Sequence, residues 1–309
     1  QSVECDVDPR ITVHLLQPST DRRRWKAMRD FRDKCDQFWL EFKAKDGVIV
    51  HSHERCSFHH VTTFHGPPML NIGFFSVISK LSRRINAWNS MERVELLGAN
   101  VKTVLTVSAR VRQLLVEKYD SPIKFWPRPM YPGVNHERPR PFLPVQAELK
   151  MVFVGAEWKR KGLMKCIAVC ELMKKDFSTL TLDVYGPKQG ACEGLGRFDW
   201  LTYRGWVSTI RYEDYDCLLL PAREEPFGMV VTEALVAGCR VLCSDRVGAT
   251  EINHPAICRA PLELDDYEWC LRLKALLGYS RSPDFKFKSW HDVAREHVVV
   301  YERLKATGL

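Results

Sequence analysis

The sequence predicts an α/β protein made of two doubly wound, Rossmann-like domains, and three observations carry that expectation. At 309 residues the chain exceeds one ordinary core and suits two domains of roughly 100–200 residues each. Short β-branched runs alternate with stretches of helical period, the order in which βα units feed a parallel sheet. Between Pro122 and Pro144 stand seven prolines in 23 residues, which reads as a linker. The expected division is therefore residues 1–143, an N-terminal domain with its Pro-rich linker, and residues 144–309, a C-terminal domain.

In the first half the pattern predicts a strand over Ile11–Leu16, a helix over Arg22–Phe42, and strands over Gly47–His51, Val61–Phe64 and Val101–Val107. A helix follows over Ser108–Lys118, opening on a serine suited to capping it. In the second half it predicts strand Lys150–Val154, helix Leu163–Lys175, strands Thr181–Tyr185 and Cys217–Leu220, helix Gly228–Ala237 and strand Arg240–Cys243. Ser289–Leu304 has helical spacing and reads as a closing helix.

Composition excludes several classes. With 45% hydrophobic and 27% charged residues and no low-complexity tract, disorder is out. No stretch reaches the roughly 18 apolar residues of a membrane-spanning helix. The start, Gln1 followed by polar and acidic residues, is unlike a secretion signal, so the start has been removed or the chain is a fragment. Eleven cysteines without a repeated CxxC, several inside apolar runs, read as reduced and hence cytoplasmic. A net charge of +8 calls for an anionic partner: nucleotide phosphate, acidic lipid or nucleic acid.

The chemistry is written most densely at Pro221–Ala234. A strand ends at Leu220, a loop carries Glu225, and a helix begins near Gly228, so the unpaired N–H groups of Gly228, Met229 and Val230 form a ready anion site. Glu233 lies about one and a half turns into that helix, where it can accept hydrogen bonds from a polyol. A second segment, Val152–Gly162, is a strand, a turn and three successive cations, Lys159, Arg160 and Lys161. Cations there neutralise a departing diphosphate, although a solvated basic turn would look similar.

The first segment resembles the E-x7-E motif of retaining family 4 glycosyltransferases, which have the GT-B fold: both glutamates, the Phe227–Gly228 pair and the small-residue helix agree. The resemblance implies that Glu225 holds donor-sugar hydroxyls, Gly228, Met229 and Val230 the diphosphate, and Glu233 the ribose. Lys161 before Gly162 resembles the family's phosphate-binding lysine, and the K-R-K-G run is similar to that of the lipopolysaccharide-core glucosyltransferases. Many relatives carry arginine where this chain has Ala156, a place that Arg160 or Lys159 can fill. Thr63–Gly66 resembles the family's T-x-H-G and makes His65 a group facing the sugar and the reaction centre. Gly47–Glu54 and Tyr131–Asn135 resemble further family segments.

The implied protein is thus a GT-B enzyme with two domains facing a cleft, the first shortened at its N-terminus, where no strand and glycine-rich loop precede Ile11. It moves a hexose from a nucleoside diphosphate sugar, a UDP-sugar by preference, to a saccharide or lipid-linked acceptor in cell-surface polysaccharide or lipopolysaccharide synthesis, with retention of configuration. Glu225 and His65 are the candidate catalytic residues; Arg160, Lys161, Phe227, Gly228, Met229, Val230 and Glu233 bind the donor. His51, His53, Cys56, His59, His60 and His65 crowd together without a standard zinc spacing, so no obligatory metal or other cofactor is expected. The helix from Arg22 through Leu40 is basic and aromatic, which makes an anionic membrane surface a candidate partner; an ordinary helix with solvated charges is the alternative. Nucleic acid rests on net charge alone and is not expected as a partner. The alternative function is a non-catalytic relative that binds a nucleotide sugar or a membrane surface.

Overall fold

A computed structural model describes residues 8–17, 19–42, 47–69, 82–135, 140–145, 148–188, 190, 192, 195, 198–280 and 285–308. The polar start at 1–7 and residues 136–139 of the Pro-rich passage lie outside the described residues. The chain divides into two compact units, residues 1–62 with 69–104, and residues 63–68 with 105–309.

The first unit holds helix α1 (Arg24–Glu41), the two-residue strand β1 (His51–Ser52), the start of strand β2 (Val61–Phe64) and helix α2 (Arg83–Leu97). Strands β2 and β3 (Thr103–Thr106) run from this unit into the next, and the sheet order is β1-β2-β3. β1 and β2 are parallel, His51 opposite Val61. Below them α2 buries two carboxylates, Glu92 and Glu95. Arg55 pairs with both, at 3.4 and 3.3 Å, and Thr62 donates to Glu95 at 3.1 Å. Burial dominates all the same and pushes the Glu95 carboxyl up to about 7.

Two expectations change in this unit. Ile11–Leu16 is not a strand: its alternation is that of a strand, but Ile11, Val13 and Leu15 are exposed and the segment has no ladder among the described residues. The strand expected over Gly47–His51 shrinks to His51–Ser52.

The second unit continues with α3 (Ala109–Lys118), whose cap Ser108 accepts from the Val111 N–H as its sequence foretells. Its main sheet comprises β4 (Lys150–Val154), β5 (Thr181–Tyr185), β6 (Leu201–Gly205), β7 (Cys217–Leu220), β8 (Arg240–Ser244) and β9 (Ile257–Ala260). The order is β6-β5-β4-β7-β8-β9, every pair parallel. β7 and β8 are buried at every residue, as strands covered on both faces must be. Helices α4 (Trp158–Lys161), α5 (Leu163–Met173), α6 (Met229–Val236), α7 (Asp266–Leu277) and α8 (Trp290–Ala306) complete it. Met151, Phe153, Leu163, Cys170, Met173 and Trp269 join in one apolar core. β6, β9, α2 and α7 are additions to the sequence reading.

Candidate functional site

Reading outward from β4, the chain goes on to β5 and β6 on one side, while from its neighbour β7 it goes to β8 and β9 on the other. The β4–β7 boundary is therefore the topological switch point, and the loops leaving the carboxyl ends of these two strands open a crevice there, the place where open parallel sheets bind ligands. Those loops are the two segments singled out from the sequence, 155–162 and 221–228.

The first loop turns at Gly155, φ +155°. A Cβ at that position would lie 2.1 Å from Cδ of Lys161, so the missing side chain is what lets Lys161 lie across the strand end. Lys161 Nζ reaches Glu225 Oε2 at 3.4 Å and Arg160 Nη1 reaches the same oxygen at 3.2 Å. Arg160 also donates to the Glu224 carbonyl and pairs with Glu157 at 2.7 Å. Of the two cations able to serve where Ala156 stands, Arg160 is the one in the cluster; Lys159 is exposed and lies over the Trp158 ring.

The second loop is clamped along its backbone. The Glu225 N–H donates to the Arg246 carbonyl at 3.0 Å, the Gly248 N–H donates to the Glu225 carbonyl at 3.0 Å, and the Ala249 N–H to that of Phe227 at 2.7 Å. Phe227 is buried and stacks on Tyr131 with centroids 5.9 Å apart, and the Ser108 hydroxyl donates to the Pro226 carbonyl at 2.6 Å. Gly228 adopts φ +92°, a conformation open to glycine and costly for other residues. It turns the chain so that α6 starts at Met229. The N–H groups of Gly228, Met229 and Val230 precede or open the helix and have no intrahelical acceptor; among the described residues none donates elsewhere.

One turn into α6, Glu233 is half-buried, and its Oε2 accepts from the Tyr212 hydroxyl at 3.2 Å. Burial raises its pKa; the Tyr212 hydrogen bond and the Lys161 charge pull it part of the way back. The structure thus gathers Arg160, Lys161, Glu225, Gly228, Met229, Val230 and Glu233 around one strand-end crevice. His65 keeps its predicted place at the carboxyl end of β2, exposed, in the other sheet.

Sequence reasoning missed three supports. Tyr212 stands on a 3-10 turn, Tyr212–Asp214, with no motif to flag it. Arg110 pairs with Glu224 at 2.8 Å. Glu251 accepts from the N–H groups of Ala109 and Arg110, both at 2.8 Å, and from Tyr131 Oη at 3.0 Å; burial first, and the Glu251 charge and hydrogen bond after it, push the Tyr131 hydroxyl up to about 12.

The crowded histidines have individual explanations. His59 Nε2 meets the Glu95 carbonyl at 2.8 Å, His60 Nδ1 accepts from the Val50 N–H at 3.0 Å, and His51 stacks on His53. Among the described residues no group of three or more His, Cys, Asp or Glu side chains is placed to hold a metal. Asp265 caps α7 in a capping box with Glu268.

A parallel sheet whose strand order reverses beside a charged cluster and an open helix end defines a doubly wound α/β protein. More particularly, residues 136–260 match the family model of glycosyl transferases group 1, and that span contains Arg160, Lys161, Glu225, Gly228, Met229, Val230 and Glu233. An uncharacterized glycosyltransferase of Methanocaldococcus jannaschii is 28% identical over 179 residues, which are 51% of this chain and 46% of that protein. The chain thus aligns with about half the length of that curated relative. Among solved structures, WaaG, a glycosyltransferase involved in lipopolysaccharide biosynthesis, superposes with a TM-score of 0.68 at 17% identity over 85% of this chain and 76% of its own. Sucrose-phosphate synthase from Thermosynechococcus elongatus gives 0.65 at 18% identity over 97% and 87%. HepE of Anabaena, solved in complex with UDP and glucose, gives 0.56 at 14% identity over 85% and 75%. At these identities the likeness establishes the fold, which is GT-B.

Proposed function

We propose that the chain is a retaining, metal-independent hexosyltransferase, taking its sugar from a nucleoside diphosphate donor, a UDP-sugar by preference. The acceptor is a hydroxyl of a saccharide or lipid-linked saccharide in cell-surface polysaccharide or lipopolysaccharide synthesis. The observation that carries this reading is the convergence of Lys161, Arg160 and Glu225 beside the open amino end of α6, with Glu233 one turn further on.

Each part has a chemical task. The N–H groups of Gly228, Met229 and Val230 and the cations of Lys161 and Arg160 hold the diphosphate and take up its charge as the bond from the anomeric carbon to phosphate oxygen breaks. They supply positive charge that a divalent ion would otherwise bring. Before the donor arrives, Glu225 holds both cations; the incoming diphosphate exchanges places with it and leaves Glu225 to accept from hexose hydroxyls. Glu233 accepts from the ribose, and His65 contacts the sugar. The acceptor oxygen bonds to the anomeric carbon from the face the diphosphate leaves, and its proton passes to the departing phosphate oxygen.

WaaG's role in lipopolysaccharide synthesis and the UDP held by HepE support the choice of pathway and nucleotide. Among the described residues ten cysteines are free, and no helix is long and apolar enough to cross a membrane. We place the chain in the cytoplasm, at the membrane's inner face when its acceptor is lipid-linked, with the basic helix α1 as the docking element.

Isothermal titration of the chain with a panel of nucleoside diphosphates and nucleotide sugars, in chelator, tests this directly. Selective binding that Glu233→Ala weakens at least about tenfold is the expected result. Failure of every nucleotide to bind at millimolar concentration would sink the donor site. Binding with neither transfer nor donor hydrolysis would assign the chain to the non-catalytic alternative.

A further inference from the structure

Tyr212 precedes β7 in a 3-10 turn and is 5% exposed, an unusual place for a hydroxyl unless it has a partner. Its partner is Glu233 Oε2 at 3.2 Å, reached from a different element, the turn rather than helix α6. A free glutamate carboxylate on a helix samples several rotamers. With one oxygen engaged by Tyr212, the rotamers open to this carboxylate are fewer and Oε1 is left to accept from other donors. A vicinal diol, two hydroxyls on adjacent carbons, needs an acceptor fixed in this way.

Resting on the donor-site reading above, we propose that Tyr212 is the positioning residue that makes the site selective for a ribose diol, by orienting Glu233 toward the 2′- and 3′-hydroxyls of the nucleotide. The groups that face Glu233 are the Tyr212 hydroxyl and the Lys161 ammonium, both of which oppose the effect of its burial. Removing the hydroxyl therefore has two consequences: the carboxylate loses its orientation, and it protonates at a higher pH, after which it accepts less well.

Titration of the intact chain and of Tyr212→Phe with UDP and with 2′,3′-dideoxy-UDP separates these effects from a loss of fold. The variant binds UDP about tenfold more weakly while its affinity for the dideoxy compound stays within twofold of wild type, roughly the scatter of such a measurement. The pH above which UDP affinity levels off moves upward in the variant. Equal weakening toward both ligands makes Tyr212 a packing residue and overturns the proposal, as does unchanged UDP affinity. A wild-type chain that binds dideoxy-UDP as tightly as UDP also overturns it while leaving the donor site intact. A wild-type chain that binds no nucleotide overturns both readings.

Discussion

The most exacting position in the crevice has no side chain. Lys161 passes over Gly155 so closely that a Cβ there would lie 2.1 Å from its Cδ. Gly155→Ala should therefore displace Lys161 and strain the turn, weakening UDP binding about tenfold and costing about 1–2 kcal/mol of stability; titration and denaturant unfolding of one sample check both. A second residue-scale prediction concerns acid. The ring of His254 is enclosed by Phe142, Phe285 and Phe287, and Nδ1 accepts from the Ala256 N–H at 3.1 Å. Desolvation holds its pKa down at about 4, against 6.5 for the free side chain. The unfolded chain then takes up a proton that the folded chain refuses, so this histidine's contribution is whole above pH 6.5 and falls as pH drops toward 4. By pH 5 the loss is on the order of 2 kcal/mol. Urea unfolding at pH 7.5 and pH 5 should show the stability gap between wild type and His254→Gln narrowing on acidification; a constant gap would mean that the ring titrates normally.

At the scale of elements, α3 shows how a loop can be held by a helix end. Its first two N–H groups, on Ala109 and Arg110, are met by the Glu251 carboxylate, an anion where the helix dipole favours one, and the Tyr131 hydroxyl donates to Oε2, the oxygen that Ala109 also uses. Glu251→Ala strands those donors and should cost about 1–2 kcal/mol of stability, read by denaturant unfolding. Little of this was legible beforehand. Ser108 announced the helix, but Glu251 follows it by more than a hundred residues, and only the fold brings the two together. The strands divide in the same way. β4, β7 and β8 lie inside the sheet and read as continuous apolar runs, so the sequence located each to within a residue. β6 and β9 are edge strands; the burial pattern of β6 alternates and β9 carries the exposed Arg259, which blurred both. Ile11–Leu16 had the opposite fault, a strand-like alternation with no neighbour to complete it. The helix α7 was missed although Asp265 and Glu268 spell its capping box.

For the whole molecule, the decisive fact is that every nominated site residue, including His65, falls in the unit made of residues 63–68 and 105–309. The clustering of these residues was legible because it is local in sequence: Arg160 and Lys161 occupy one turn, and Glu225 and Glu233 bracket one helix start. Assembly then required only that β4 and β7 be neighbours, which the sheet order provides. A ligand that joins these two loops must also stabilise the sheet they leave, since it binds the folded state and not the unfolded chain. At a hundredfold excess over its dissociation constant, UDP should add about 2.7 kcal/mol. The place of that gain is specific as well as its size. The amides of 155–162 and 221–233 should exchange more slowly with UDP present, Gly228, Met229 and Val230 among them, because their N–H groups exchange water for phosphate oxygen. Hydrogen exchange resolved by peptide, with and without UDP, checks this. Stabilisation without protection of those two loops would place the nucleotide elsewhere on the fold and remove the switch-point crevice from the mechanism.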